Sequence, residues 1–74
     1  MNPKDIKTIV GCNLKYARKQ KGLTQKEVAT LLRKYQPDYS QYESGIIELD
    51  YEKIVYLCKL FAITPNDLFE GLFD

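Results

Sequence analysis

The stretch of residues 24–45 constrains the fold more than any other part of the chain, because it predicts two short helices joined by a tight connection. Thr24 and Glu27 have the spacing of a capping box, in which a hydroxyl and a carboxylate satisfy backbone N–H groups at a helix start. Pro37 is compatible with the first turn of a helix but not with its interior. A break is therefore expected within residues 32–36, with a second helix after it.

The remainder of the chain predicts three further helices and no strand, so we expect a compact all-α fold of five helices. Cap residues or first-turn prolines begin the flanking helices at Asn2–Pro3, Asp50 and Thr64–Pro65, and glycines end helices at Gly22, Gly45 and Gly71. The residues of the central stretch expected to face inward are Val28, Ala29, Leu31, Leu32, Tyr39 and Tyr42. A chain of 74 residues is expected to form a single domain, residues 1–74, that needs an efficient helical core or a partner subunit.

The cysteines and the absence of histidine argue against metal sites and catalysis. Cys12 and Cys58 lie far apart and have no CxxC partners, so buried, reduced thiols are favoured over a disulfide or a reactive thiol. The sequence contains no histidine, which removes the commonest general acid–base group. We therefore expect that the protein is not an enzyme and that it binds no cofactor, no metal and no small-molecule ligand. The sequence shows no export leader and no membrane-spanning run, so a cytoplasmic protein is expected.

The charges are distributed unevenly along the chain. Residues 1–34 carry nine basic side chains against two acidic ones, whereas residues 35–74 carry two basic side chains against eight acidic ones. The two parts therefore have net charges of +7 and −6, which give the whole chain its net charge of +1. This asymmetry favours a polyanion as the partner of one end of the molecule.

The chain resembles the Cro/CI-type (Xre-like) helix-turn-helix family of phage and bacterial regulators in three segments, GLTQKEVATLL, SQYESG and FAITPNDLF. The distance from Thr24 to Gly45 matches the motif of that family without a gap, and the resemblance covers nearly the whole chain. The resemblance implies a lambda-repressor-like domain of five helices, with the motif at residues 24–45. It also implies that the third helix enters the major groove of double-stranded DNA.

The resemblance implies base contacts from the outward face of the third helix. Because helical neighbours lie three and four residues apart, an inward Tyr39 and Tyr42 leave an outward face made of Gln36, Pro37, Ser40, Gln41 and Ser44. Glutamine can bind N6 and N7 of adenine with both amide atoms, so Gln36 and Gln41 are predicted to contact base edges, assisted by Ser40. Taken alone, each glutamine is better interpreted as a solvated helix residue, and the complete motif reverses that preference.

Other residues are predicted to contact the DNA backbone. Gln25 matches a family position that braces the first base-contacting glutamine and touches phosphate, and Ser44 matches a position that contacts the backbone. The cations near the motif are phosphate candidates, namely Lys26, Arg33 and Lys34. Arg18 and Glu43 match a family ion pair that fixes the third helix on the scaffold, and burial decides how much such a pair stabilises the fold.

Two positions depart from the family pattern, Arg33 in place of glycine and Tyr35 in place of a small hydroxyl cap. A left-handed backbone at Arg33 costs roughly 1–2 kcal/mol, so a second helix that runs on for another turn is an alternative. That alternative would shift the start of the third helix, and it affects the role of Gln36 more than that of Gln41.

The apolar side chains of Ile46, Ile47, Leu72 and Phe73 predict a homodimer interface, and folding back onto the core is the alternative. A dimer would place two recognition helices about one DNA turn apart on a palindromic site. The favoured function is a sequence-specific DNA-binding regulator, chiefly a repressor, with antitoxins and restriction-modification controllers in the same class. The competing class is a protein-interaction module that has lost DNA binding, which the near-zero net charge, Asp38 and the acidic segment IIELDYE favour.

Overall fold

The computed structural model describes residues 3–73. Its helices are α1 (Pro3–Gln20), α2 (Gln25–Leu31), α3 (Gln36–Glu43), α4 (Tyr51–Phe61) and α5 (Pro65–Leu68). No strand occurs among the described residues, so the predicted all-α fold of five helices is confirmed. Asn2, which was predicted to cap α1, lies outside the described residues. No helix in the described part of the chain is long and apolar enough to cross a lipid bilayer.

The predicted caps are present at the starts of α2, α4 and α5. The Thr24 hydroxyl accepts a hydrogen bond from the Glu27 amide at 3.1 Å, and the Glu27 carboxylate accepts one from the Thr24 amide at 3.0 Å. Thr64 and Asp67 form the same reciprocal pair at the start of α5. Asp50 caps α4 by accepting from a backbone N–H at 2.8 Å. These caps satisfy amides that have no partner within their own helix, which is why the helices begin where they do.

Each helix contributes at least one fully buried side chain to a shared core, and the largest are Leu14, Val28, Tyr39, Leu57 and Leu68. α3 packs against both α1 and α2, while α5 packs against α1 and α4. Tyr39 and Tyr42 both face inward, as predicted, with their rings edge to face and their centroids 6.1 Å apart. The inner face of α3 is thereby held by the core, and its opposite face is left to the surface.

The turn between α2 and α3 corrects the expectation raised by Arg33. α2 ends at Leu31, and Arg33 adopts a left-handed backbone with φ of 56°, so the alternative of a longer second helix is wrong. The Lys34 amide donates to the Ala29 carbonyl at 2.9 Å and the Arg33 amide donates to the Thr30 carbonyl at 3.1 Å. These two bonds satisfy the last carbonyls of α2 and offset the cost of about 1–2 kcal/mol for a left-handed arginine. α3 consequently begins at Gln36.

Three details of the packing differ from the sequence prediction. Leu31 is 49% exposed, because successive helical residues turn by about 100° and Leu31 therefore falls outside the buried stripe of Val28 and Ala29. Cys12 is exposed for the same reason, whereas Cys58 is buried as predicted. α5 ends at Leu68, before the glycine that was expected to end it.

Gly11 allows a close approach that the sequence did not predict. A Cβ at Gly11 would lie 2.5 Å from the carbonyl oxygen of Glu43 and 2.6 Å from that of Tyr42. Both atoms belong to the backbone of α3, so a larger residue could not be accommodated by rotating a side chain. The middle of α1 therefore contacts the C-terminal end of α3 directly, and this contact fixes the height of α3 on the scaffold.

Candidate nucleic-acid interface

The outward face of α3 presents the residues that were predicted to contact bases. Gln36 and Pro37 are exposed, whereas Ser40 and Gln41 are half-buried. The Gln41 side chain makes no hydrogen bond to any residue in the described range 3–73, so both its amide donor and its carbonyl acceptor are available to a ligand. Tyr39, on the opposite side of the same helix, is completely buried and anchors α3 in the core.

A chain of hydrogen bonds joins the buried core to this face, and we name it the relay, made of Arg18, Glu43, Gln25 and Gln36. Arg18 Nε donates to Glu43 Oε2 at 2.7 Å, and Arg18 Nη2 donates to Glu43 Oε1 at 3.1 Å. Gln25 Nε2 donates to Glu43 Oε1 at 2.9 Å, and Gln36 Nε2 donates to Gln25 Oε1 at 2.6 Å. The relay therefore begins at a buried guanidinium and ends at an exposed amide on α3.

The first pair of the relay is buried and ionised. The side chains of Arg18 and Glu43 are 8% and 2% exposed, respectively. Burial opposes ionisation of Glu43, but hydrogen bonds from Arg18 and Gln25 outweigh it and hold the pKa of the Glu43 carboxyl below its usual value. The hydrogen bond to Glu43 outweighs burial and raises the pKa of Arg18. The pair therefore keeps both charges at neutral pH.

Arg18 and Tyr39 extend the contacts around this pair. Arg18 Nη1 donates to the Leu23 carbonyl at 2.8 Å, which ties the turn before α2 to the same guanidinium. The Tyr39 hydroxyl is buried without a hydrogen-bond partner of good geometry. Burial, followed by the neighbouring Glu43 carboxylate, raises the pKa of the Tyr39 hydroxyl, so it stays neutral. α1, the turn, α2 and α3 are thus joined through the Arg18–Glu43 pair.

Ser40 of α3 and Ser44, which directly follows α3, already use their hydroxyl hydrogens. Ser40 Oγ donates to the Pro37 carbonyl at 2.8 Å, and Ser44 Oγ donates to the Ser40 carbonyl at 2.7 Å. Such bonds to carbonyls three or four residues earlier are common for serine within a helix. A phosphate oxygen requires a donor, so Ser44 would have to exchange its backbone bond before it could bind a phosphate. The contribution that was predicted for these hydroxyls stays a prediction.

The cationic side chains near the motif differ in how free their charged groups are to contact a phosphate. Lys26 and Arg33 are exposed, and neither forms an ion pair with any of the described residues. Lys34 is half-buried, and its Nζ lies 5.8 Å from the centre of the Tyr42 ring. That distance corresponds to a cation–π contact, which holds the ammonium group close to the surface of the protein. Lys26 and Arg33 are therefore the freer phosphate candidates.

The residues predicted to form a dimer interface are mostly at the surface. Ile46 is 61% exposed, Ile47 is 45% exposed and Phe73 is 89% exposed, whereas Leu72 is half-buried. Ile47 also lines a groove of about 440 Å³ between α1 and α4. Apolar side chains form much of that groove, namely Ile6, Val10, Leu49, Ile54 and Phe69. The sequence did not predict the groove, because the residues that line it come from segments far apart in the chain.

Comparison with known proteins agrees with this geometry. A family model described as a helix-turn-helix domain matches residues 11–71, a range that contains every residue of the relay. YqaE, an uncharacterised HTH-type transcriptional regulator of Bacillus subtilis (strain 168), is 37% identical over 59 residues. The aligned region covers 80% of this chain and 51% of YqaE, so the chain spans about half the length of that relative.

Proposed function

Because this chain belongs to the Xre-like helix-turn-helix family, we propose that it is a sequence-specific DNA-binding regulator of transcription. The observation that carries the proposal is the outward face of α3, where Gln36 is held by Gln25 at 2.6 Å and Gln41 is unbonded among the described residues. A pair of amides on the outward face of a helix is suited to the donor and acceptor groups of the major groove. The description of YqaE as an HTH-type transcriptional regulator supports the same assignment.

In this proposal α3 enters the major groove and the surrounding residues position it. Gln36 and Gln41 contact base edges, with Ser40 beside them. Backbone contacts come from Gln25, Lys26, Arg33, Lys34 and Ser44. Phosphate contacts set affinity and orientation, whereas the amides select the sequence, because only base edges differ between one site and another. The protein acts as a cytoplasmic repressor without catalytic activity, and it occupies an operator to block transcription.

We expect the protein to be retained on random-sequence duplex DNA at low salt and to be released steeply as salt rises. Each phosphate neutralised steepens the log–log dependence of affinity on salt by about 0.9. Lys26→Ala and Arg33→Ala are therefore each expected to lower the slope by about 0.9. Lys59→Ala is the matched control, because Lys59 is an exposed cation on α4, outside the motif, and its loss should leave the slope unchanged.

The second candidate function is a protein-interaction module that keeps the fold and does not bind DNA. The net charge of +1 favours this candidate, as does the exposed Asp38 in the first turn of α3. The same retention experiment separates the two candidates. An interaction module would pass through the DNA column at low salt, and that outcome would contradict the DNA-binding proposal.

A homodimer on a palindromic operator completes the proposal, with Ile46, Ile47, Leu72 and Phe73 at the interface. Exposed apolar side chains are typical of a surface that is covered in an assembly. Sedimentation of the wild type is expected to show a concentration-dependent dimer, which Ile46→Ser weakens. Tyr16→Ser is the control, because Tyr16 is 67% exposed on α1 and lies outside this set. A wild type that stays monomeric at high concentration would remove the dimer.

A further inference from the structure

The relay determines which way each amide group is turned as well as where it lies. This is because each member has a defined set of hydrogen-bond donors and acceptors. Glu43 is ionised and paired with Arg18, so both of its carboxylate oxygens can only accept hydrogen bonds. Gln25 must therefore turn its NH₂ group toward Glu43, at 2.9 Å. The order of atoms in the Gln25 amide follows from this chemistry.

The same reasoning determines the orientation of the amide in the last member of the relay, Gln36. Once the NH₂ group of Gln25 faces Glu43, its Oε1 faces Gln36 and can only accept. Gln36 must therefore donate from its Nε2, which lies 2.6 Å from that Oε1. The groups of Gln36 that remain for a ligand are its Oε1 acceptor and the second hydrogen on Nε2. One acceptor beside one donor matches adenine, which offers the N6 donor and the N7 acceptor in the major groove.

The opposite orientation of the Gln36 amide would select a different base. If Gln36 turned its Oε1 toward Gln25, it would offer only NH₂ hydrogens to the DNA. Two donors match guanine, whose major-groove edge carries the O6 and N7 acceptors. The choice between adenine and guanine at this position thus depends on which way one amide is turned. The Gln36 side chain alone does not determine its orientation, since the two orientations of its amide group have almost the same shape.

We infer that Glu43, acting through Gln25, is a positioning residue that makes Gln36 select adenine over guanine. This inference rests on the proposed DNA binding and adds to it the residue that determines which base Gln36 selects. Glu43 is buried and does not touch the DNA in this arrangement. Its effect is on the preference at one base pair, whereas its contribution to folding is a separate property of the Arg18–Glu43 pair.

The experiment measures binding to a library of duplexes and compares variants at single positions of the site. Gln36→Ala first identifies the base pair that Gln36 contacts, as the position whose preference it abolishes. At that position the wild type is expected to prefer adenine over guanine by about tenfold or more, the usual size for an amide that binds a base through both atoms. Gln25→Met keeps the length of the side chain but removes both hydrogen bonds, so the preference is expected to fall to within about twofold.

Gln25→Lys provides the stronger test, because it reverses the direction of the relay. The introduced ammonium group donates to Glu43 and can also donate to Gln36, but it accepts from neither. Gln36 is then expected to turn its Oε1 inward and its NH₂ group outward, and the preference should change from adenine to guanine. The added charge raises affinity for every sequence, so the measured quantity is the ratio of the two bases. Lys26→Met is the control, since it changes affinity and should leave that ratio unchanged.

The outcomes separate this inference from the proposed function. If the wild type binds DNA and prefers adenine, but Gln25→Met and Gln25→Lys both keep that preference, the relay does not orient Gln36 and the inference fails alone. If Gln36→Ala changes no position of the site, the inference also fails while DNA binding stands. A wild type that binds no DNA overturns both. Thermal melting of each variant checks that it is folded, and the Gln25 variants carry the test because they leave the buried ion pair intact.

Discussion

Replacing Glu43 with alanine is expected to lower the free energy of unfolding by about 3–5 kcal/mol, because the Arg18 guanidinium is then buried without its partner. A domain of 74 residues has a total stability of roughly 4–11 kcal/mol, so the loss is a large share of it. The melting temperature should fall by more than about 10 °C, since each kcal/mol corresponds to about 4–8 °C in a domain of this size. Thermal and denaturant unfolding of Glu43→Ala beside the wild type measure the effect.

Two controls identify the cause of that loss. Glu48→Ala removes an exposed carboxylate and should change stability by no more than about 0.5 kcal/mol. Replacing Arg18 and Glu43 together should cost less than the two single replacements combined, because no unpaired charge then stays buried. If Glu43→Ala melted at the temperature of the wild type, the ion pair would contribute nothing to the fold.

The pH dependence of stability gives an independent measure of the same carboxylate. The pKa of Glu43 in the folded protein lies below that in the unfolded chain, which is about 4.3. The stability that ionised Glu43 contributes is therefore fully present above about pH 4.3 and is lost as the pH falls through the folded pKa. Glu43→Ala should show a flatter decline of stability in this acidic range than the wild type does.

Gly45→Ala is expected to lower the free energy of unfolding by about 2–5 kcal/mol, the second largest loss after that of Glu43→Ala. Gly45 has φ of +76°, and a side chain in this left-handed region costs about 1–2 kcal/mol. Its Cβ would also lie 2.8 Å from the Cα of Thr8 and 3.0 Å from the Thr8 amide nitrogen, an overlap that costs about 1–3 kcal/mol. The overlap would push the end of α3 away from α1.

Gly22→Ala is a matched control for this effect. Gly22 also follows a helix and has φ of +74°, but nothing lies within 4 Å of the position its Cβ would take. Its replacement should therefore cost only the backbone term of about 1–2 kcal/mol. The difference between the two variants in denaturant unfolding measures the contact between α1 and the end of α3. Equal losses would show that this contact is loose enough to accept a methyl group.

The helix starts and the inward face of α3 could be predicted because they depend on residues close together in sequence. A capping box joins residues three apart, so Thr24 and Glu27 predict the start of α2 without reference to the rest of the molecule. The spacing of Tyr39 and Tyr42 likewise predicts one buried face and leaves Gln36 and Gln41 on the other. The resemblance to a known family added the expected partner, DNA, and the expected contact between Gln25 and Gln36.

Exposure of single side chains and the backbone at Arg33 could not be predicted with the same success. Leu31 and Cys12 are apolar residues at the edges of their helical stripes, and the rotation of a whole helix against its neighbours determines whether they are covered. Arg33 adopts a left-handed conformation that few arginines adopt, because the carbonyls at the end of α2 are satisfied by the turn. Local preference favoured a longer helix there, and the hydrogen bonds of the turn outweighed it.

The five helices, their caps and the amide-bearing face of α3 could be derived from the amino-acid sequence, since all of these arise from interactions within one or two helical turns. The packing of the helices against one another is what makes one continuous chain of hydrogen bonds from Arg18, Glu43, Gln25 and Gln36. These residues come from three helices, and the backbone contact at Gly11 fixes how closely two of them approach. A hydrogen bond requires its atoms to lie within a few tenths of an ångström, and only the packed core supplies that precision.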